Sequence, residues 1–191
     1  MDFPEYIDGR RASQPSFTKA VVADARMFLA YRTEATNVTS RVKLARHMIR
    51  LCWVTDSYLA LVLYRANARL ESLRIPVLPM ICHRLSMMLA QICIGSPVYI
   101  EPGVYIPHGQ VVIDGITQIG SGAVIAPWVT IGLRAGNFNG PTIGHGVQIG
   151  TGTKIIGPIS IGDGVVTGAN SVVVHDIEPG STVVGAPAQP I

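Results

Sequence analysis

From Ile94 to its C-terminus the chain advances in steps of six. Read in sixes it runs CIGSPV, YIEPGV, YIPHGQ and, further on, TIGHGV, QIGTGT, KIIGPI, SIGDGV. An aliphatic residue recurs at Ile94, Ile100 and Ile106, at Ile119, Ile125 and Ile131, and at Ile143, Ile149, Ile155 and Ile161. A fixed short period of this kind implies stacked coils of β-structure, each burying its aliphatic row against the next. Glycines and prolines every few residues exclude long helices here. Three hexads close one triangular coil, so the region supplies about five coils, more than the three or so repeats that stability requires.

The rhythm breaks twice. Between Ile106 and Ile119 it slips by one residue, which predicts a bulge or small loop around Val111–Gly115. Between Ile131 and Ile143 the segment GLRAGNFNGPT keeps the spacing but loses hexad character. It reads as an excursion over Leu133–Pro141, and excursions on a rigid scaffold are where sites lie.

Before Gly95-Ser96-Pro97 the period is helical. Phe17 to about Thr33 lacks Gly and Pro and carries Val21, Val22, Ala25, Phe28 and Leu29 at helical spacing. Ser40 is placed to cap a second helix with Leu44, Met48 and Leu51 on its apolar face. Asp56 is placed to cap a third, with Leu59, Val62, Leu63, Ala66 and Leu70 inward. Pro76 ends it, and a fourth runs from about Pro79 to Ile92. The fold class is therefore α+β, with helices over residues 1–93 and a β-solenoid over 94–191.

Composition narrows the function classes. At 48% hydrophobic and 14% charged, the 191 residues describe a folded chain. Cys52, Cys82 and Cys93 are odd in number, sit in apolar surroundings and lack zinc-site spacing, which fits reduced thiols in a cytoplasmic protein. The opening MDFPEYIDGRR is acidic and polar, unlike a signal peptide. Leu85–Ile100 is too short for a membrane span, and no nucleic-acid motif is present. Residues 1–95 hold 13 Lys/Arg against 7 Asp/Glu, whereas the remainder holds 2 against 5. A basic helical half reads either as a solvated face or as a surface for an anionic partner.

The hexads, HGQVVI, the loop ending GPTIG, QIGTGTKIIG, GANSVVV and VVGAPA resemble the hexapeptide-repeat acyltransferases, and within them the serine O-acetyltransferase branch. The likeness spans roughly Asp56 to Ala188. It implies a left-handed parallel β-helix following the helices, a homotrimer or a hexamer of two trimers, and acyl-CoA, here acetyl-CoA, held between neighbouring β-helices. The implied chemistry is transfer of an acyl group from a thioester to a hydroxyl of a small acceptor. An alcohol is a poor nucleophile, so a base must take its proton, and histidine titrates in the right range. His108, in PHGQVV, matches the family's catalytic histidine.

Small residues let a pantetheine arm approach the backbone, which marks Gly150, Thr151, Gly152, Gly168, Ala169 and Ala186; each also suits a coil corner. Arg134 and Lys154, the two cations of the repeat region, are the candidates for CoA phosphates. Amides of the 136–140 loop are candidate oxyanion donors. Asp114 and Trp128 are candidates for the acceptor pocket. Three departures from the branch bear on the acceptor: Pro107 stands where Asp precedes the histidine, Gly140 where a second histidine precedes Pro141, and Asp114-Gly115 where a Glu is usual. They leave the acceptor open among serine, sugars and other hydroxyl compounds.

Two other classes compete. A zinc-dependent lyase or hydrolase would need His108, His145 and His175 to converge, and no ligand clustering favours it; no metal is expected. A non-catalytic trimeric scaffold would follow from loss of the loop histidine and the Asp. His145 reads as a surface turn residue and His175 as structural, and Ile191 ends the chain too soon after GAPA to reach a partner enzyme.

Overall fold

The computed structural model describes residue 9, residues 13–34 and residues 38–191. Among the described residues, four helices of a turn or more precede the β-structure: α1 (Phe17–Tyr31), α2 (Arg41–Val54), α3 (Asp56–Ser72) and α4 (Leu78–Ala90). Ser40 caps α2, its Oγ accepting the Lys43 N–H at 3.5 Å. At α3 the cap position falls to Thr55, and Asp56 is the first helical residue, its Oδ1 accepting the Ser57 N–H at 2.9 Å.

The inner face of α3 also differs from the expected one. Ser57, Tyr58, Ala60, Leu61, Tyr64, Arg65, Asn67 and Ala68 are buried, while Leu59, Val62, Leu63, Ala66 and Leu70 stay half-exposed. Two tyrosines and an ion pair select that face. Tyr58 donates to the Val21 carbonyl at 3.2 Å and Tyr64 to the Val98 carbonyl at 3.0 Å. Arg65, 3% exposed, meets Asp24, 1% exposed, through Nε–Oδ2 at 3.0 Å. Its guanidinium also donates to the carbonyls of Ile100 and Glu101, and Asp24 accepts the Gly103 and Val104 N–H groups. Each guanidinium nitrogen and both carboxylate oxygens of the pair find a partner, which burial demands. The pair ties α1 and α3 to the first coil.

Three parallel faces wind upward from Ile92. The first sheet stacks β1 (Ile92–Ile94), β3 (Val111–Ile113), β6 (Thr130–Gly132), β9 (Lys154–Ile156) and β12 (Val172–Val173). The second stacks β2 (Tyr99–Ile100), β4 (Ile116–Ile119), β7 (Asn139–Ile143) and β10 (Ser160–Ile161). The third stacks β5 (Val124–Ile125), β8 (Gln148–Ile149), β11 (Val166–Thr167) and β13 (Thr182–Val184), closed by the antiparallel β14 (Gln189–Pro190). The hexad isoleucines are the core: Ile100, Ile106, Ile125, Ile131 and Ile155 are fully buried, and Ile100, Ile125, Ile131 and Ile155 stand in register with isoleucines of adjacent coils. A second inward row, four residues after Ile94, Ile100, Ile119, Ile125, Ile143 and Ile161, carries Val98, Val104, Ala123, Val129, Val147 and Val165.

Register locates both breaks. Ile92, Cys93 and Ile94 pair with Val111, Val112 and Ile113 without a shift. The extra residue therefore lies before Val111, in the 107–110 corner, and not at Val111–Gly115. The reason is backbone: Gln110 takes a left-handed φ of 66°, and its N–H reaches out of the coil to the Ala90 carbonyl at the end of α4. The second break is an excursion. Ile131 pairs with Ile155 and Ile143 with Ile161, so the coil between them carries the 133–138 loop outside its path.

The helices and the first coils share one apolar cluster, running from Val21, Phe28 and Leu61 to Ile92, Val98 and onward through the coils. No helix among the described residues is long and apolar enough to cross a membrane. The three cysteines are free and half-buried, and burial raises each thiol above its ordinary range.

Candidate active site

The winding order gives the β-helix three edges. Corners between the third and first faces fall at 107–110, 126–129, 150–153, 168–171 and 185–188, one above another. Backbone bonds stitch them: Trp128 N–H to Gln110 O at 2.9 Å, Gly152 N–H to Pro127 O at 2.9 Å, and Asn170 N–H to Thr151 O at 2.8 Å. This one edge collects His108, Trp128, Gly150, Thr151, Gly152, Gly168, Ala169 and Ala186, with Lys154 at its margin where β9 begins. Lys154 Nζ donates to the Trp128 carbonyl at 2.5 Å. Eight sequence candidates and an adjacent cation thus form one continuous strip.

His108 is exposed on that strip, yet its backbone is fixed from both sides. Ser57 Oγ, at the start of α3, donates to the Pro107 carbonyl at 3.4 Å. Gln110 N–H donates to Ala90 O at 3.2 Å. Gly109 is required between them: a Cβ there would stand 1.7 Å from the Ala90 carbonyl oxygen and 3.4 Å from Asp56 Oδ2. The Asp56 carboxylate therefore lies against the residue that follows His108. Sequence reading assigned Asp56 only a capping role, because fifty-two positions separate it from His108 and only the packing of α3 on the coil brings them together.

The glycine corners have a structural duty as well. A Cβ on Gly150 would stand 2.5 Å from the Thr167 carbonyl, and one on Gly168 would stand 2.7 Å from the Val184 side chain. Buried hydroxyls line the inside of the same corners: Thr153 Oγ1 lies 3.1 Å from Thr167 Oγ1, and Ser171 Oγ donates to Gly168 O at 2.8 Å. Ala169 and Thr151 are exposed at the tips. The strip is an edge of small residues on which His108 and Trp128 are the large exposed side chains.

Trp128 breaks the pattern. Equivalent corners place Gly152 at φ 76° and Asn170 at φ 58°, residue types that tolerate the left-handed region. Trp128 holds φ 65° with its side chain 57% exposed. A bulky residue in that region is strained and gains little from burial.

Asp114 and Arg134 lie on a different edge, between the first and second faces. Asp114 is exposed, Oδ1 accepting the Gly115 N–H at 2.7 Å, and a Cβ on Gly95 would touch the same oxygen. Its carboxylate raises the Cys93 thiol further, after burial. Arg134 is exposed on the 133–138 loop, its side chain passing over Gly157, and Phe138, four residues further on, stands 67% exposed. Within one chain these two residues do not meet His108.

The remaining histidines are also apart. His145 lies on the third edge, between the second and third faces, with Nδ1 3.1 Å from Ser121 Oγ and 3.4 Å from Glu101 Oε2. His175 is exposed on the edge of Asp114. Three histidines on three edges do not converge in one chain, and among the described residues no group of three or more His, Cys, Asp and Glu side chains is arranged for a metal.

Comparison with known proteins agrees with this architecture. No family model matches the chain. A serine acetyltransferase of Synechococcus elongatus is 33% identical over 169 residues, covering 86% of this chain and 69% of that protein. One from Helicobacter pylori is 39% identical over 136 residues, covering 69% and 79%. The solved soybean serine acetyltransferase in complex with serine superposes with a TM-score of 0.79 at 30% identity, over 94% of this chain and 71% of that one. Helices followed by a left-handed parallel β-helix place the chain among the hexapeptide-repeat acyltransferases. Within that class, the chain belongs to the serine acetyltransferase family, and it is an O-acetyltransferase.

Proposed function

We propose that the chain transfers the acetyl group of acetyl-CoA to a hydroxyl of a small acceptor, with serine the first acceptor to consider, and that His108 is the general base. The observation that carries this reading is the single edge. It sets an exposed imidazole, on a backbone fixed by Ser57 and Ala90, at one end of a strip of small residues. The pantetheine arm lies along Gly150, Thr151, Gly152, Gly168, Ala169 and Ala186, and Lys154, with Arg134 from a neighbouring chain, meets the phosphates.

In the reaction His108 takes the hydroxyl proton as the acceptor oxygen attacks the thioester carbonyl. The tetrahedral intermediate then collapses, and the imidazolium returns the proton to the departing thiolate of CoA. Such base assistance is worth about 10²–10⁴ in rate. Backbone N–H groups of the 136–140 loop are the proposed donors to the oxyanion.

Asp56 is proposed to take part of the role of the missing carboxylate before the histidine, orienting an amino group or a second hydroxyl of the acceptor. Asp114 and Arg134 reach a site only from a second protomer, since they lie on another edge. This favours a homotrimer with sites between subunits, in which residues 94–191 carry the chemistry and residues 1–93 complete the acceptor end. A cytoplasmic location fits its free thiols and a CoA donor.

Thiol release from acetyl-CoA, measured with serine and with a panel of sugars and amino alcohols, tests the assignment. The expected result is acceptor-dependent release with at least one hydroxyl compound. Release with none of them, or stoichiometric zinc in the active protein, overturns it.

A further inference from the structure

Helix α2 buries one side and leaves the other without a partner among the described residues. Leu44 and Leu51 point inward, with Met48 and Cys52 packed partly behind them. Half a turn around the helix, Val42, Ile49 and Trp53 form a second apolar stripe, 71%, 72% and 91% exposed. Spacings of seven and four residues keep all three on one line. A core explains one apolar side of a helix and not two. Large apolar side chains aligned on a surface mark an interaction site.

Cations frame this stripe. Arg41, Lys43, Arg46 and Arg50 are exposed, and the helix RVKLARHMIRLCWV contains no acidic residue. Lys43, Arg46, His47 and Arg50 line a shallow hollow beside the stripe. The nearby carboxylate is Glu34, which engages Arg50 and, at 3.0 Å, Arg32; Arg41, Lys43 and Arg46 have no ion pair among the described residues.

We propose that α2 is a membrane-surface helix, seating Val42, Ile49 and Trp53 at the headgroup–acyl boundary of an anionic bilayer while its arginines and lysine meet lipid phosphates. An apolar line ending in Trp beside a basic face is the composition that lies in the interface plane. A second copy of this chain fits less well. An isologous contact sets the patch against itself and would oppose the same cations. A soluble anionic polymer would satisfy the cations and leave the Trp53 line in water. The consequence is an acetyltransferase concentrated at a lipid surface, its β-helix still free to meet soluble CoA.

The test is co-sedimentation of the full chain with vesicles of phosphatidylcholine alone and of phosphatidylcholine with about one third phosphatidylglycerol. The expected result is binding to the anionic vesicles, at least about tenfold weaker to the neutral ones. Trp53→Ser with Ile49→Ser, and separately Arg46→Glu with Lys43→Glu, should each reduce binding about tenfold or more while thiol release in solution stays unchanged. The proposal is overturned if the wild type ignores anionic vesicles at low salt, or if the Trp53→Ser, Ile49→Ser pair binds as well as wild type. A fall in sedimentation mass of that pair would assign the face to a second copy. Vesicle binding seen only after removal of residues 1–12 would assign it to the chain's own N-terminal segment. Heparin binding as tight as vesicle binding and indifferent to Trp53 would assign it to a polymer. Each of these results overturns the proposal too, and none depends on the acceptor of the transfer reaction.

Discussion

At the residue scale, two positions on the edge that carries His108 separate fold from function. Gly109 has no room for a side chain, because its Cβ would enter the Ala90 carbonyl. Gly109→Ala should therefore lower stability by about 1–3 kcal/mol, measured by urea denaturation, and should lower turnover by displacing His108. Trp128 is the opposite case. Its left-handed φ of 65° and its exposure mean that Trp128→Asn should leave stability unchanged or raise it by about 1 kcal/mol. The same variant should raise the acceptor KM more than it lowers kcat. A loss of about 2 kcal/mol or more in Trp128→Asn would instead mean that the indole packs against another subunit. His108 was singled out as the candidate base by its place in the hexads and the family pattern. The strain at Trp128 was not, since φ is set by the corner it occupies and leaves no mark in the residue type.

At the element scale, the coils were legible because their period is short and each repeat has the same inward isoleucine. The helices were legible as helices, but the burial of α3 was not. Hydropathy favours Leu59, Val62, Leu63 and Leu70 as its inner side, whereas the buried ion pair and two tyrosine hydroxyls turn Arg65 and Asn67 inward. A sequence reading places charges outside by default, and nothing local announces a partner forty-one residues away. That pair gives a sharp prediction. Asp24→Ala strands a buried guanidinium and frees the Gly103 and Val104 N–H groups, so it should cost about 3–5 kcal/mol. Replacing both partners, Asp24→Leu with Arg65→Met, should cost clearly less than Asp24→Ala alone. Equal losses would show that the pair does not act as a unit. The slip at 107–110 was misplaced by a few residues for a related reason. The hexad count registers that a residue is added, and only strand pairing shows where.

At the scale of the whole molecule, one apolar cluster joins the helices to the coils. A composition change near residue 93 suggests a boundary, and the secondary structure changes from helix to strand between Ala90 and Ile92. Yet Arg65, Tyr64 and Ser86 all bond across it to Ile100, Val98 and Ile92. The full chain should then unfold in a single cooperative transition by calorimetry and circular dichroism alike. Two separated transitions would contradict the shared core. The edges add a second requirement. His108 and the strip of small residues lie on one edge, while Asp114, Arg134 and the 133–138 loop lie on another, so the proposed site, if it draws on all of them, is assembled between chains. Sedimentation should give a mass that is a multiple of three of the 20.4 kDa chain; a monomer with full turnover would remove Asp114 and Arg134 from the site.

The central claim is that His108 takes the acceptor's proton on the edge between the third and first faces. Acceptor-dependent thiol release by His108→Ala, compared with wild type at matched stability, tests it most directly. The account predicts that kcat falls by about 10²–10⁴ while the thermal transition and the binding of CoA are retained. Full acceptor-dependent turnover in His108→Ala would contradict it.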